Sequence, residues 1–74
     1  MIDYKEYITI NPNQRFGKPC IIGTRISVYD VLNWLANGMS EEEIIEDFPE
    51  LSTAQIRACL AFAADKNHKI RIAS

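Results

Sequence analysis

The sequence predicts a mainly α domain: a small three-helix core with a helix-turn-helix outline, preceded by one or two short β-strands, with a further short strand allowed at the C-terminus. Three observations carry that expectation. The stretch from Gly38 to Ala64 holds two capping boxes, Ser40 with Glu43 and Ser52 with Gln55, on either side of Pro49. In such a box the serine hydroxyl accepts from an orphan amide at the helix start, and the side chain three residues on accepts from the serine's own amide. Val28, Val31, Leu32 and Leu35 recur at the spacing of one helical face. Tyr4 to Ile10 alternates instead, which is the spacing of a strand.

In chain order, the alternation places Ile8 and Ile10 on one side and Tyr7 and Thr9 on the other. Asn11-Pro12-Asn13 ends that strand, because these residues form turns. Gly17 and Gly23 then bracket a short apolar run, Cys20-Ile21-Ile22, read as a second strand or extended segment. Pro19 confines Lys18 to extended backbone. The first helix starts at the cap Ser27, with Asp30 three residues on, and stops at Gly38. The second helix runs from Glu41 to about Asp47, where Pro49 ends it, and buries Ile44, Ile45 and Phe48. The third runs from Thr53 to about Asp65 or a few residues beyond, with Ile56, Cys59, Leu60 and Ala63 as its inward stripe. Ala58, Ala61, Phe62 and Ala64 leave it apolar on other sides too, so it is buried on more than one side, and a second copy of the chain is the simplest cover. In the tail, Ile70 and Ile72 alternate with Lys69 and Arg71, which suggests an edge strand pairing with the N-terminal strand of the same or a neighbouring chain.

Composition sets bounds on function. With 74 residues the chain is one small domain, of a size that often gains stability by oligomerising. Its hydrophobic fraction of 47% belongs to a globular chain rather than a disordered one. The net charge of −2 counts against strong non-specific binding of nucleic acid. Cys20 and Cys59 form no metal-ligand pattern and sit in apolar surroundings, as small core residues do in a reducing cytoplasm. Asp3, Lys5 and Glu6 interrupt the N-terminus, so no signal peptide is expected there. No apolar run is long enough to span a membrane. There is no Ser/His/Asp ordering, metal spacing or nucleotide fingerprint, so neither an enzyme nor a cofactor is expected.

Five features are candidates for a binding role. Lys18, Thr24 and Arg25 lie beside flexible glycines and read either as an anion site or as an ordered loop with a structural ion pair. Glu41, Glu42, Glu43, Glu46 and Asp47 form an acidic face on the second helix, either solvated or offered to a basic partner. Such a face would repel phosphates where a helix-turn-helix crosses the DNA backbone. If the third helix reads DNA, Thr53, Gln55 and Arg57 are the residues at its start, and Gln55 and Arg57 suit adenine and guanine edges. Trp34, off the centre of its stripe, is either a core edge or part of an interface. Lys66, His68, Lys69 and Arg71 make the basic tail, read as a phosphate or partner contact or as a solvated terminus.

Ile10 and Pro12, then Gly17-Lys18-Pro19, then Ile22-Gly23-Thr24-Arg25-Ile26 with Val28 following, resemble the core signature of domain-of-unknown-function family 433. Leu32, Leu35, Gly38, Ser40, Glu42, Glu43, Ile44, Phe48, Pro49, Leu51, Ile56 and Leu60 continue the likeness, which spans about Tyr7 to Ala64. The resemblance implies a homeodomain-like helix-turn-helix core with short N-terminal strands. It also implies an antitoxin-like component of a toxin–antitoxin pair, often with a PIN-like ribonuclease toxin as partner. It implies no catalytic residues, and leaves Gly17, Gly23, Thr24 and Arg25 as structural or interface-forming.

Two expectations follow. One is a dimeric antitoxin-like protein that reads duplex DNA with Thr53, Gln55 and Arg57 and holds phosphates with Lys18, Arg25 or the basic tail. The other is a protein-interaction module without DNA binding of its own, with Trp34, Phe62, Glu42 and Glu46 facing the partner. Both expect a cytoplasmic homodimer.

Overall fold

The structure, a computed structural model, describes residues 3–10 and 17–71, with side chains as far as Asp65. The turn expected at residues 11–13 and the side chains of the basic tail lie outside the described residues. Two short strands, β1 (Ile8–Ile10) and β2 (Pro19–Ile21), precede three helices, α1 (Val28–Ala36), α2 (Glu41–Asp47) and α3 (Thr53–Arg71). This is the mainly α domain the sequence predicts.

The N-terminus differs from the alternating reading. Tyr4–Glu6 is a 3₁₀ turn, capped by Asp3, whose carboxylate accepts from Lys5 N–H at 3.1 Å. The turn carries the Tyr4 ring onto α3, where it meets Phe62 edge to face, with centroids 5.5 Å apart. Tyr4 also donates its hydroxyl to Asp65 at 2.6 Å. Tertiary contact thus overrides local strand propensity, leaving only β1 extended. β1 and β2 pair antiparallel, Ile8 opposite Ile21 and Ile10 opposite Pro19. Ile8 is buried, but Ile10, on the same face, is exposed.

Each helix boundary follows its local chemistry. Ser27, Ser40 and Ser52 each accept from the amide three residues on, and each serine amide donates back to Asp30, Glu43 or Gln55. α1 ends at Gly38, whose φ of 95° is open to glycine without penalty. Met39 N–H donates to Trp34 C=O and Gly38 N–H to Leu35 C=O, the paired bonds of a Schellman ending. α2 stops at Phe48, and Leu51 N–H donates to Phe48 C=O across Pro49.

Ile21, Val28, Val31, Ile44, Ile56 and Cys59 form the centre of the core, with Leu51, Ala58 and Phe62 around them. Each fully buried aliphatic side chain contributes about 1.5–3 kcal/mol. The inward face of α3 is rotated from the expected stripe. Ala58 and Phe62 are buried beside Ile56 and Cys59, whereas Leu60 is 42% exposed. The reason is long-range: the 3₁₀ turn packs against α3 and covers the Phe62 side. The expected C-terminal strand is replaced by helix, because α3 continues through Arg71. No described helix is long and apolar enough to cross a membrane.

Candidate functional site

The loop from Ile21 to Ser27 shows what its motif residues do. Thr24 N–H donates to Ile21 C=O at 3.1 Å, closing a turn whose third residue, Gly23, has φ +83°. A positive φ at the third position of a β-turn favours glycine there. The Thr24 hydroxyl donates to Ile21 C=O at 2.9 Å and accepts from Ile26 N–H at 3.0 Å. Ile21 N–H donates to Ile26 C=O, which folds the chain back along β2 and delivers Ser27 to cap α1. Gly23 and Thr24 are therefore structural, and the Thr24 hydroxyl is already engaged. Arg25 is exposed and makes an interaction of its own. It lines a shallow hollow with Thr9, Ile22 and Glu50. Lys18 is exposed just before β2.

The start of α3 meets the start of α2. Thr53 and Arg57 line a second hollow with Ser40, Glu41, Glu42 and Ile45. Arg57 Nε lies 3.7 Å from a Glu41 carboxylate oxygen, and both side chains are substantially open to water. The attraction is weak there. Its effect on local charge is larger, since the guanidinium is set beside Glu41 and Glu42. Gln55 is half-buried and its carbonyl accepts from Ser52 N–H at 2.7 Å. Of the residues expected to read bases, only Thr53 and Arg57 share one open surface. Arg25 lines the other hollow and Lys18 lines neither, so the five do not converge on one groove.

The residues expected to face a partner divide likewise. Glu42 and Glu46 are exposed on α2. Trp34 stacks on Phe48, with centroids 4.3 Å apart and an interplanar angle of 12°. That stack ties α1 to the end of α2, so the partly buried indole forms a core edge. Phe62, at 6% exposure, belongs to the core and offers no surface. Among the described residues, the exposed large apolar side chains are instead Ile10, Ile22, Tyr29 and Leu60. Tyr29 carried a sequence signal, as an aromatic outside the Val28–Val31 stripe. Leu60 did not, since it sat on the stripe that periodicity assigned to the core, and the alternation around Ile10 did not say which side of the strand is covered.

Among the described residues, the buried titratable side chains are the thiols of Cys20 and Cys59. Burial pushes Cys59 up to about 12, which keeps it protonated and inert at neutral pH. The hydrogen bond to Asp65 raises the Tyr4 phenol above its ordinary value. Among the described residues no group of three His, Cys, Asp or Glu side chains is placed to hold a metal ion.

A family model described as "Protein of unknown function (DUF433)" matches residues 8–63. An "Uncharacterized protein y4eO" of Sinorhizobium fredii (strain NBRC 101917 / NGR234) is 37% identical over 59 residues. The match takes in 80% of this chain and 27% of that protein, so the chain spans about a quarter of its relative's length. No solved structure matches.

Proposed function

Because this chain belongs to the DUF433 family, whose description names no activity, we infer its role from the surfaces it presents: it is an antitoxin-like, non-enzymatic protein-binding domain, acting as a homodimer and offering α2 to a basic partner. A PIN-like ribonuclease is the partner class that the family resemblance suggests. The observation that carries this reading is the charge at the α2–α3 corner. Glu41, Glu42, Glu43, Glu46 and Asp47 follow one another on α2, and the cation at the start of α3, Arg57, is set against Glu41. In a helix-turn-helix the helix before the reader crosses the phosphate backbone. A carboxylate-rich helix in that place repels phosphate and attracts cationic protein. Any DNA contact then falls to the complex, to which the partner brings positive charge.

The test measures two bindings with the full chain. The first is to fluorescent duplexes, including the DNA upstream of its own gene, across a salt series. The second is to a purified PIN-like ribonuclease. The reading expects no salt-dependent DNA binding by the chain alone. It expects ribonuclease binding that weakens about tenfold or more in the double charge reversal Glu42→Lys, Glu46→Lys. Sequence-specific DNA binding by the chain alone, lost in Arg57→Ala, would overturn it in favour of a DNA reader.

A further inference from the structure

The register of the small sheet determines what each edge of β1 presents. Ile8 faces Ile21, Thr9 faces Cys20 and Ile10 faces Pro19. One step along the same register, Ile22 N–H donates to Tyr7 C=O at 2.8 Å. Bonded and non-bonded pairs alternate in an antiparallel ladder. Thr9 therefore exchanges hydrogen bonds with Cys20, and Ile8 and Ile10 turn their N–H and C=O groups to the outer edge. The opposite strand agrees: Ile21 sends its N–H away from β1, to Ile26 C=O at 2.9 Å. Among the described residues, the sheet is two-stranded and nothing pairs with that outer edge. The tail that sequence reasoning would have laid there is helical through Arg71.

The side chains add a second observation. Ile8 and Ile10 point to the same face, since strand residues two apart do so. Ile8 is 8% exposed and Ile10 is 56% exposed. The cover over that face stops between them.

Resting on the homodimer reading above, we propose that the outer edge of β1 is the dimer interface and that its occupant is β1 of a second copy, antiparallel and centred on Thr9. The occupant follows from the symmetry of the strand. An antiparallel ladder matches main-chain donors to acceptors whatever the side chains, so the outward groups of Ile8 and Ile10 are met in full by the same strand turned about a two-fold axis, and the Ile-Thr-Ile sequence sets isoleucine beside isoleucine across it. Ile8 N–H and C=O pair with Ile10 C=O and N–H of the second copy, and the reverse, giving four main-chain hydrogen bonds. The same register sets the exposed Ile10 side chain directly beside Ile8 of the second copy, extending the apolar face. None of the three strand residues is charged, so no like charges are opposed where the copies meet. The two-stranded sheet, short and marginal by itself, becomes four-stranded.

The experiment uses the full chain and three variants in light scattering after gel filtration, over a concentration series. Ile10→Pro removes one outward N–H per copy at an edge position that tolerates proline. Ile10→Lys places like charges across the axis. Leu60→Lys alters the exposed face of α3 and leaves the edge intact. The expected result is a wild-type dimer, a dissociation constant raised about a hundredfold in both Ile10 variants, and little change in Leu60→Lys. Amide exchange of the wild type supplies a readout that does not depend on a variant folding: the Ile8 and Ile10 amides become protected as concentration rises. A monomeric wild type would overturn both the dimer reading and this interface. A dimer that survives Ile10→Pro, or whose Ile8 and Ile10 amides exchange freely, would overturn the interface alone. Dissociation by Leu60→Lys with the Ile10 variants still dimeric would move the contact to α3.

Discussion

Replacing Thr24 with valine removes a hydroxyl at nearly constant shape and tests whether the loop motif is structural. In the native chain that hydroxyl makes two hydrogen bonds, to Ile21 C=O at 2.9 Å and from Ile26 N–H at 3.0 Å. Each contributes about 1 kcal/mol net, and the Ile26 amide loses its acceptor at a half-buried site. The expected loss is therefore about 2 kcal/mol. A chain of this length has a total stability of about 4–11 kcal/mol, so the loss is a large fraction of the whole. Urea unfolding followed by helical circular dichroism reads it directly, and the melting temperature falls by about 8–16 °C. Thr24→Ser keeps the hydroxyl and loses only a methyl group, so it restores most of the difference. A Thr24→Val chain within about 0.5 kcal/mol of wild type would refute the structural role and return Thr24 to the pool of binding candidates.

Other predictions follow from single features of the same structure. Gly23→Ala meets no atom within 4 Å of the new Cβ, so its cost is the positive φ alone, about 1–2 kcal/mol in urea unfolding. Cys59 is protonated in the folded chain up to about pH 12, whereas an unfolded thiol ionises near 9.0. The unfolded state then binds fewer protons between those values, so stability is level below about pH 9 and falls as pH rises toward 12. Thermal melts from pH 8 to 11 should show that fall, with a shallower slope in Cys59→Ala. Equal slopes would count against burial as the cause.

How much of this was legible in the sequence depends on the range over which each feature is determined. The helix boundaries were readable because a cap is a transaction among neighbours. Ser27 with Asp30, Ser40 with Glu43, Ser52 with Gln55 and the stop at Gly38 each involve residues within one turn. The family likeness was readable for a similar reason: its Gly23-Thr24 motif closes a local turn that few other residues can close. The acidic face of α2 was visible as a set of carboxylates that no cation interrupts.

Tertiary structure decided what periodicity left open. α3 is apolar on several sides, so its sequence could not say which side is covered. The Tyr4 turn, packing from the far end of the chain, buried Phe62 and left Leu60 in water. Arg57 looked like a base reader until the fold set it beside Glu41, sixteen residues earlier. Likewise the free edge of β1 became apparent only once the tail proved helical. By itself the sequence determined where each helix begins and where α1 and α2 end, because those choices rest on hydrogen bonds between neighbours. Which faces are buried and which charges meet was decided only by the packing of distant segments, because a side chain's surroundings are set by whatever arrives to cover it.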